Sequence, residues 1–210
     1  MNADIKSSEQ AVYGGDMICG ASFAFRFIKR AGDIFMSLAG LILLLPLMLV
    51  TALCVKLYDG GKVIYSQERL TKGGKSFMCY KFRSMCEDAE SDGVARISMY
   101  GDTRVTPVGR IIRKYHIDEL PQLINILKGE MSVVGPRPER PELAAQIEKD
   151  LPEFRQRLCV KAGLTGYAQV KGRYTTLPSE KLRMDMIYIN NMSAGLDIKL
   201  ILLTVVELFK

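Results

Sequence analysis

Twenty-two consecutive residues, Ile34–Val55, carry no charge, and Pro46 sits inside the run. At about 1.5 Å per helical residue such a segment reaches roughly 33 Å, enough for a bilayer core of about 30 Å. Soluble domains of this size rarely contain one, so the chain is expected to live on or in a membrane. Two geometries fit. A straight spanning helix puts Arg26, Lys29 and Arg30 on one side and Lys56 and Lys62 on the other, against the bias that gathers basic residues on one face. A re-entrant hairpin returns both ends to the same side. Pro46 removes a backbone donor and crowds the preceding turn, so a kink or break is expected there, with the freed backbone groups finding partners in neighbouring protein. The re-entrant form is preferred. It divides the chain into a flexible N-terminus (1–25), a membrane hairpin (26–58) and a cytoplasmic catalytic domain with interfacial helices (59–210).

Outside the membrane segment and the first residues, about 150 of the 210 residues remain, one ordinary domain. The first twenty residues mix Asp4, Lys6, Glu9 and Asp16 with glycines and lack the layout of a secretory signal. The five cysteines contain no CxxC pair and there is a single histidine, which argues for a reducing compartment and against a zinc site. A net charge of +6 suits nucleic acid, anionic lipid headgroups or phosphorylated substrates. The membrane segment favours the last two, with no nucleic acid as partner.

Residues 62–83 alternate around Val63, Ile64 and Tyr65, turn at Gly73-Gly74 and resume through Phe77, Tyr80 and Phe82, the pattern of a short hairpin. Residues 86–104 read as a loop with a short helix. From 107 to 115, Val108, Ile111, Ile112 and Tyr115 share a helical face, with Arg110, Arg113 and Lys114 around the turn. This helix either lies in the headgroup layer or docks on the core with a solvated basic face. Helical periodicity returns in 142–158 and 179–192, and Leu196–Phe209 is apolar enough to hug the membrane. The expected fold class is α+β: a mostly helical membrane-associated domain with a re-entrant helix hairpin, amphipathic interfacial helices and a small β-hairpin.

Chemistry concentrates at Asp118-Glu119. Leu120, Leu123, Ile124 and Leu127 follow at helical spacing and Gly129 supplies a stop, so Asp118 falls at or near an N-cap, where the dipole keeps a carboxylate ionised. An aspartate before a helix is more often a cap than a catalyst. Here Arg110, Arg113 and Lys114 lie upstream, and Arg137 and Arg140 sit in the proline-rich frame Gly135-Pro136-Arg137-Pro138-Glu139-Arg140-Pro141. Guanidinium forks fixed by prolines suit phosphate oxygens. Paired carboxylates beside them suit a magnesium ion holding a diphosphate, and a carboxylate can itself attack phosphorus. Lys81 and Arg83, two apart on a strand, share a face and can meet one anionic ligand; the alternative is solvated charge on an edge strand. His116 lies two residues from Asp118, a spacing that does not share a helix face.

From Lys29 to Leu208 the chain resembles the bacterial sugar transferases, monotopic polyprenyl-phosphate phosphosugar transferases of the short form. The matching stretches are Lys29-Arg30 with Asp33, Gln67-Glu68-Arg69, Tyr80-Lys81-Phe82-Arg83-Ser84-Met85 and Arg104-Val105-Thr106. They continue with Asp118-Glu119-Leu120-Pro121-Gln122-Leu123, Lys128-Gly129-Glu130-Met131-Ser132, Val134-Gly135-Pro136-Arg137-Pro138, Gly163-Leu164-Thr165-Gly166, Ala168-Gln169-Val170, Gly172-Arg173, and Asp185 with Tyr188. So many strings in order are highly specific.

The resemblance implies that Asp118 attacks the sugar-linked phosphate of a UDP-sugar, that UMP leaves, and that undecaprenyl phosphate then takes the phosphosugar from the enzyme. It implies that Glu119 handles magnesium or a proton, that Asp118 and Glu119 ligate Mg2+, and that Arg113 and Arg137 hold phosphate. The implied place is the cytoplasmic face of the bacterial inner membrane, at the start of polysaccharide or glycoconjugate assembly, with lipid as partner and a homodimer left open. The chain departs from the family pattern at Leu45, where serine often precedes the hairpin proline, and at Ala162, Tyr167 and Lys171, where proline, tryptophan and asparagine are common. A lipid-binding module without turnover and a membrane scaffold are the other readings; the first leaves the Asp-Glu pair unexplained, and the second tolerates loss of Asp118.

Overall fold

The structure, a computed structural model, describes residues 22–86, 89, 102–172 and 176–207. Most of the segment expected to be a loop with a short helix, 86–104, lies outside them. The uncharged run forms the middle of one long helix, α1 (Phe23–Asp59), about 55 Å at the usual rise. The Ser22 side chain opens it by accepting from the Phe25 N–H at 3.2 Å, and Gly60 closes it in the left-handed region. Helical backbone continues through Pro46. It is the one described helix long and apolar enough to cross a membrane.

One stripe of α1 is buried against the rest of the protein along its length: Asp33, Ser37, Thr51 and Val55. Near the start, Lys29 reaches the Tyr188 hydroxyl (3.1 Å) and Asp197 (2.7 Å). Arg30 donates to the carbonyls of Ile126 and Leu127, and Asp33 accepts from Ser132 Oγ and the Val133 N–H. Midway, Gly40 faces Leu123 so closely that a Cβ would stand 3.1 Å from its Cδ1. Near the end, Val55 packs with Phe82 and Ile112, and Asp59 pairs with Arg83. Both ends therefore rest on the same globular body. The opposite face exposes Phe27, Phe35, Ile42, Leu43, Leu49 and Leu53.

The hairpin forms as its alternation predicts. Strand β1 (Ile64–Leu70) pairs antiparallel with β2 (Ser76–Phe82) across a 3-10 turn at Lys72–Gly74, with Gly73 and Gly74 both at positive φ. Register places Gln67 opposite Cys79 and Arg69 opposite Phe77. Gln67, Arg69, Cys79 and Lys81 thereby share one face. The outer edge of β2 is met by a side chain rather than a strand. Asn125, fully buried, accepts from the Tyr80 N–H (3.0 Å) and donates to the Met78 carbonyl (2.8 Å).

A second pairing has no sequence signal: β3 (Met131–Val134) runs parallel to β4 (Ala162–Thr165). Four-residue strands are too short for alternation to show, and they meet across the intervening segment 135–161. The approach is tight enough to require glycine, since a Cβ on Gly163 would stand 2.1 Å from the Gly135 nitrogen.

The helices around these strands are α2 (Pro107–Lys114), α3 (Gln122–Lys128), α4 (Pro141–Asp150), α5 (Tyr167–Lys171), α6 (Pro178–Asn190) and α7 (Ala194–Glu207). Proline opens α2, α4 and α6 at their first turn, where its missing N–H costs nothing. The continuous helix expected over 142–158 is corrected: α4 stops at Asp150 and a 3-10 run, Pro152–Cys159, follows because Pro152 cannot continue the ladder. On α2, Ile112 is buried while Ile111 and Tyr115 face outward, so the helix docks and still shows an apolar edge. Leu200 of α7 joins the main core of Ile126, Met131, Phe154, Met186 and Tyr188, whereas Ile198, Leu202, Val205 and Val206 are exposed. Cys54, Cys79 and Cys86 are free thiols.

Candidate active site

Between α2 and α3 the chain turns sharply. His116 adopts φ 53°, the one positive φ at a non-glycine among the described residues, and a 3-10 turn, Ile117–Glu119, carries both acids inward. Asp118 and Glu119 are each buried. The capping role expected for Asp118 is not what the structure shows: Pro121 occupies the cap position of α3, and no described residue donates a hydrogen bond to Asp118. The expected dipole stabilisation of its charge is overridden as well. Burial raises the Asp118 carboxyl above the ordinary aspartate range and Glu119 adds to this, while Lys81 and, more weakly, Arg113 and His116 pull it back down.

Glu119 has the opposite fate. Lys81 Nζ and Arg137 Nη2 both reach its Oε1, each at 2.7 Å. Burial opposes its ionisation, yet the two cations outweigh that and hold it well below the usual carboxylate range. Glu119 in turn raises the Arg137 pKa. Two adjacent carboxyls are thus shifted in opposite directions, because one has cationic partners and the other has only its neighbours' fields. Arg137 keeps 46% of its side chain exposed, which leaves the rest of its fork available.

The structure brings Asp118, Glu119, Lys81, Arg113 and Arg137 to one place. Arg83 goes elsewhere: β2 ends at Phe82, the face alternation lapses, and the Arg83 guanidinium pairs with Asp59 at the end of α1. Arg140 sits at the N-cap position of α4.

Sequence reasoning missed what holds Arg137 in position. Arg69 Nη1 donates to the Pro138 carbonyl at 3.1 Å, and Arg157 Nη2 donates to the Arg137 carbonyl at 2.9 Å. Arg157 is itself buried between Asp185 (2.7 Å) and Glu139 (3.5 Å). Burial lifts the Asp185 carboxyl to about 6 against the pull of Arg157. The proline frame is therefore pinned by two arginines. Strand alternation across 67–81 was a usable signal for Arg69; nothing local marks Arg157.

No group of three or more His, Cys, Asp or Glu suited to a metal occurs among the described residues, so a protein-only cage is not the arrangement here. The donor set still fits a magnesium ion of the kind held by one or two carboxylates together with substrate phosphates. Asp118 has no hydrogen bond to give up, and both partners of Glu119 sit on Oε1, leaving Oε2 uncommitted.

The α+β domain thus sets a buried carboxylate without a hydrogen-bond partner beside a lysine and two arginines. The family model described as Bacterial sugar transferase matches residues 24–210, and the chain belongs to that family. It is 42% identical over 184 residues to an Aeromonas hydrophila protein, a UDP-N-acetylgalactosamine-undecaprenyl-phosphate N-acetylgalactosaminephosphotransferase, covering 86% of this chain and 43% of that protein. It is 41% identical to the exopolysaccharide production protein PSS of Rhizobium leguminosarum bv. phaseoli, covering 86% of this chain and 94% of that one. It is 41% identical to a UDP-glucose:undecaprenyl-phosphate glucose-1-phosphate transferase of Escherichia coli K12, covering 88% of this chain and 40% of that protein. The chain thus spans less than half of the Aeromonas and Escherichia proteins and nearly all of the Rhizobium one.

Proposed function

We propose that this protein transfers a sugar 1-phosphate from a UDP-sugar to undecaprenyl phosphate through a covalent intermediate on Asp118. The observation that carries the reading is the contrast between the paired acids: Glu119 fixed by Lys81 and Arg137, and Asp118 buried beside them with no hydrogen-bond partner. A desolvated carboxylate without donors is a better nucleophile than a capped one. In the first step an Asp118 oxygen bonds to the sugar-linked phosphorus, the bond from that phosphorus to the bridging oxygen breaks, and UMP departs with the electron pair. In the second step an oxygen of undecaprenyl phosphate attacks the same phosphorus and Asp118 leaves as carboxylate. Arg113 and Arg137 hold phosphate oxygens, and Lys81 keeps Glu119 in place. Magnesium, held by Asp118, Glu119 and the donor's diphosphate, would neutralise the negative charge that develops on the departing phosphate.

The packing of α1 supports the re-entrant, monotopic reading. A helix bound to one body from Lys29 to Asp59 does not carry that body on a stalk, and its exposed apolar face is available to lipid on one side. Both ends then lie on the cytoplasmic face, where nucleotide sugar and lipid phosphate meet.

The test uses the full chain in detergent or nanodiscs with a panel of UDP-sugars labelled in the sugar-linked phosphate. Without lipid acceptor, the protein acquires label and releases UMP; adding undecaprenyl phosphate discharges the label to lipid. Asp118→Asn acquires none. Label on Asp118→Asn, or turnover without label in the wild type, sinks the two-step reading. Full turnover in excess chelator sinks the metal.

A further inference from the structure

Beside Glu119 lies a shallow, solvent-open cleft lined by Arg69, Cys79, Lys81, Gln122, Arg137 and Pro138. Three cations border it, and two of them, Lys81 and Arg137, share a single carboxylate. Arg69 has none: its guanidinium is spent on the Pro138 carbonyl and the Gln67 side-chain oxygen, and no carboxylate among the described residues pairs with it. Gln122 is 3% exposed, and its amide makes no hydrogen bond to a described residue. An arginine without a carboxylate partner and an amide without a protein hydrogen-bond partner, lining the same open cleft, present donors to an anion that accepts hydrogen bonds. Burial, and after it the nearby Arg137 charge, disfavour the Arg69 charge, a cost that such an anion relieves.

The chemistry of the proposed reaction says which anion. Asp118 and the group that leaves must stand in line across the reacting phosphorus, and by reversibility the attacking phosphate of the second step enters where the first one left. Both groups are phosphomonoesters. We propose, resting on the two-step reading above, that this cleft is a phosphomonoester subsite in which Arg69 and Gln122, with Lys81 and Arg137, receive the phosphate of UMP as it departs and then that of the polyprenyl acceptor. The motif Gln67-Glu68-Arg69 gains a role in this way: Gln67 orients Arg69 from the neighbouring position on the same strand face.

The test compares the full-length membrane protein with its Arg69→Gln, Arg69→Lys and Gln122→Leu variants. One arm measures inhibition of label uptake by UMP and by uridine, which lacks the phosphate. The other arm follows discharge of pre-labelled enzyme to undecaprenyl phosphate. Loss of a charge-assisted contact predicts roughly ten- to a hundredfold weaker UMP inhibition in Arg69→Gln. Uridine inhibition should stay within about twofold, and Arg69→Lys should recover part of the loss; Gln122→Leu weakens UMP by a smaller factor. A matching rise in the concentration of lipid acceptor needed for discharge assigns both phosphates to the cleft, and a rise in only one arm assigns it to that phosphate alone. Equal weakening of UMP and uridine, or unchanged behaviour in both arms, overturns the subsite. If the wild type releases no UMP from any UDP-sugar, the reaction fails first. Calorimetric titration of UMP into the wild type and the folded variants then decides the cleft on its own.

Discussion

At Asp118 the local electrostatics and the stability of the protein pull in opposite directions. Its carboxyl is raised by burial, so the folded state binds a proton more readily than the unfolded chain does. The stabilisation from that proton is complete at acid pH and is lost as pH rises through the folded pKa. Asp118→Asn removes the buried charge, so its melting temperature should equal or exceed that of the wild type at neutral pH, with the gap widening from acid to neutral. Activity should fall about a thousandfold or more. Thermal melts across pH, paired with the labelling assay, check both; a variant that melts well below the wild type at neutral pH would mean Asp118 is structural. His116 makes a separate case. Its φ of 53° is tolerable for histidine but an outlier for a β-branched residue. His116→Val should destabilise by about 1–2 kcal/mol and slow turnover by displacing the Asp118 turn, while His116→Gly should keep near-normal activity. Equal behaviour of the two would show that the turn does not depend on this backbone conformation.

Among the elements, α1 and β3 are joined by the Asp33 carboxylate, which accepts from Ser132 Oγ at 3.0 Å and the Val133 N–H at 2.8 Å in a buried setting. Asp33→Ala strands a buried backbone donor, and such a group costs about 1–3 kcal/mol. For a chain of this size that corresponds to a drop of several degrees, at about 2–4 °C per kcal/mol. Asp33→Asn should recover part of it. Equal melting of Asp33→Ala and wild type would show that the clamp contributes nothing. How much was legible also differs by element. The β1–β2 hairpin and α2, α6 and α7 are local patterns, visible as alternation or helical period. The β3–β4 pair is not, because its evidence is a close backbone approach at Gly135 and Gly163 that only the folded chain makes. Of the site, Asp118, Glu119, Lys81, Arg113 and Arg137 were readable from charge and proline context. Arg83 pairs with Asp59 because a strand ended one residue before it.

For the whole molecule, the open quantity is which side of the membrane each end of α1 faces. With Lys29, Arg30 and Asp33 bound at one end and Val55 and Asp59 at the other, both should remain cytoplasmic. In a background lacking the native cysteines, Arg26→Cys and Lys62→Cys, both at exposed positions, should resist an impermeant thiol reagent in intact cells and react once cells are opened. Labelling of either in intact cells would favour a spanning helix. The amino-acid order alone determined that there is one uncharged segment of membrane length, one acidic pair and a ring of basic residues, because hydropathy, charge and proline act through the local chain. Tertiary structure decided that this segment lies along the domain and that Glu119, not Asp118, takes the cations. It also decided that Arg69 and Arg157 grip the loop of Arg137. Each of these depends on residues dozens of positions apart being brought within hydrogen-bond reach, and burial then sets which carboxyl is held as a partner and which is left without one.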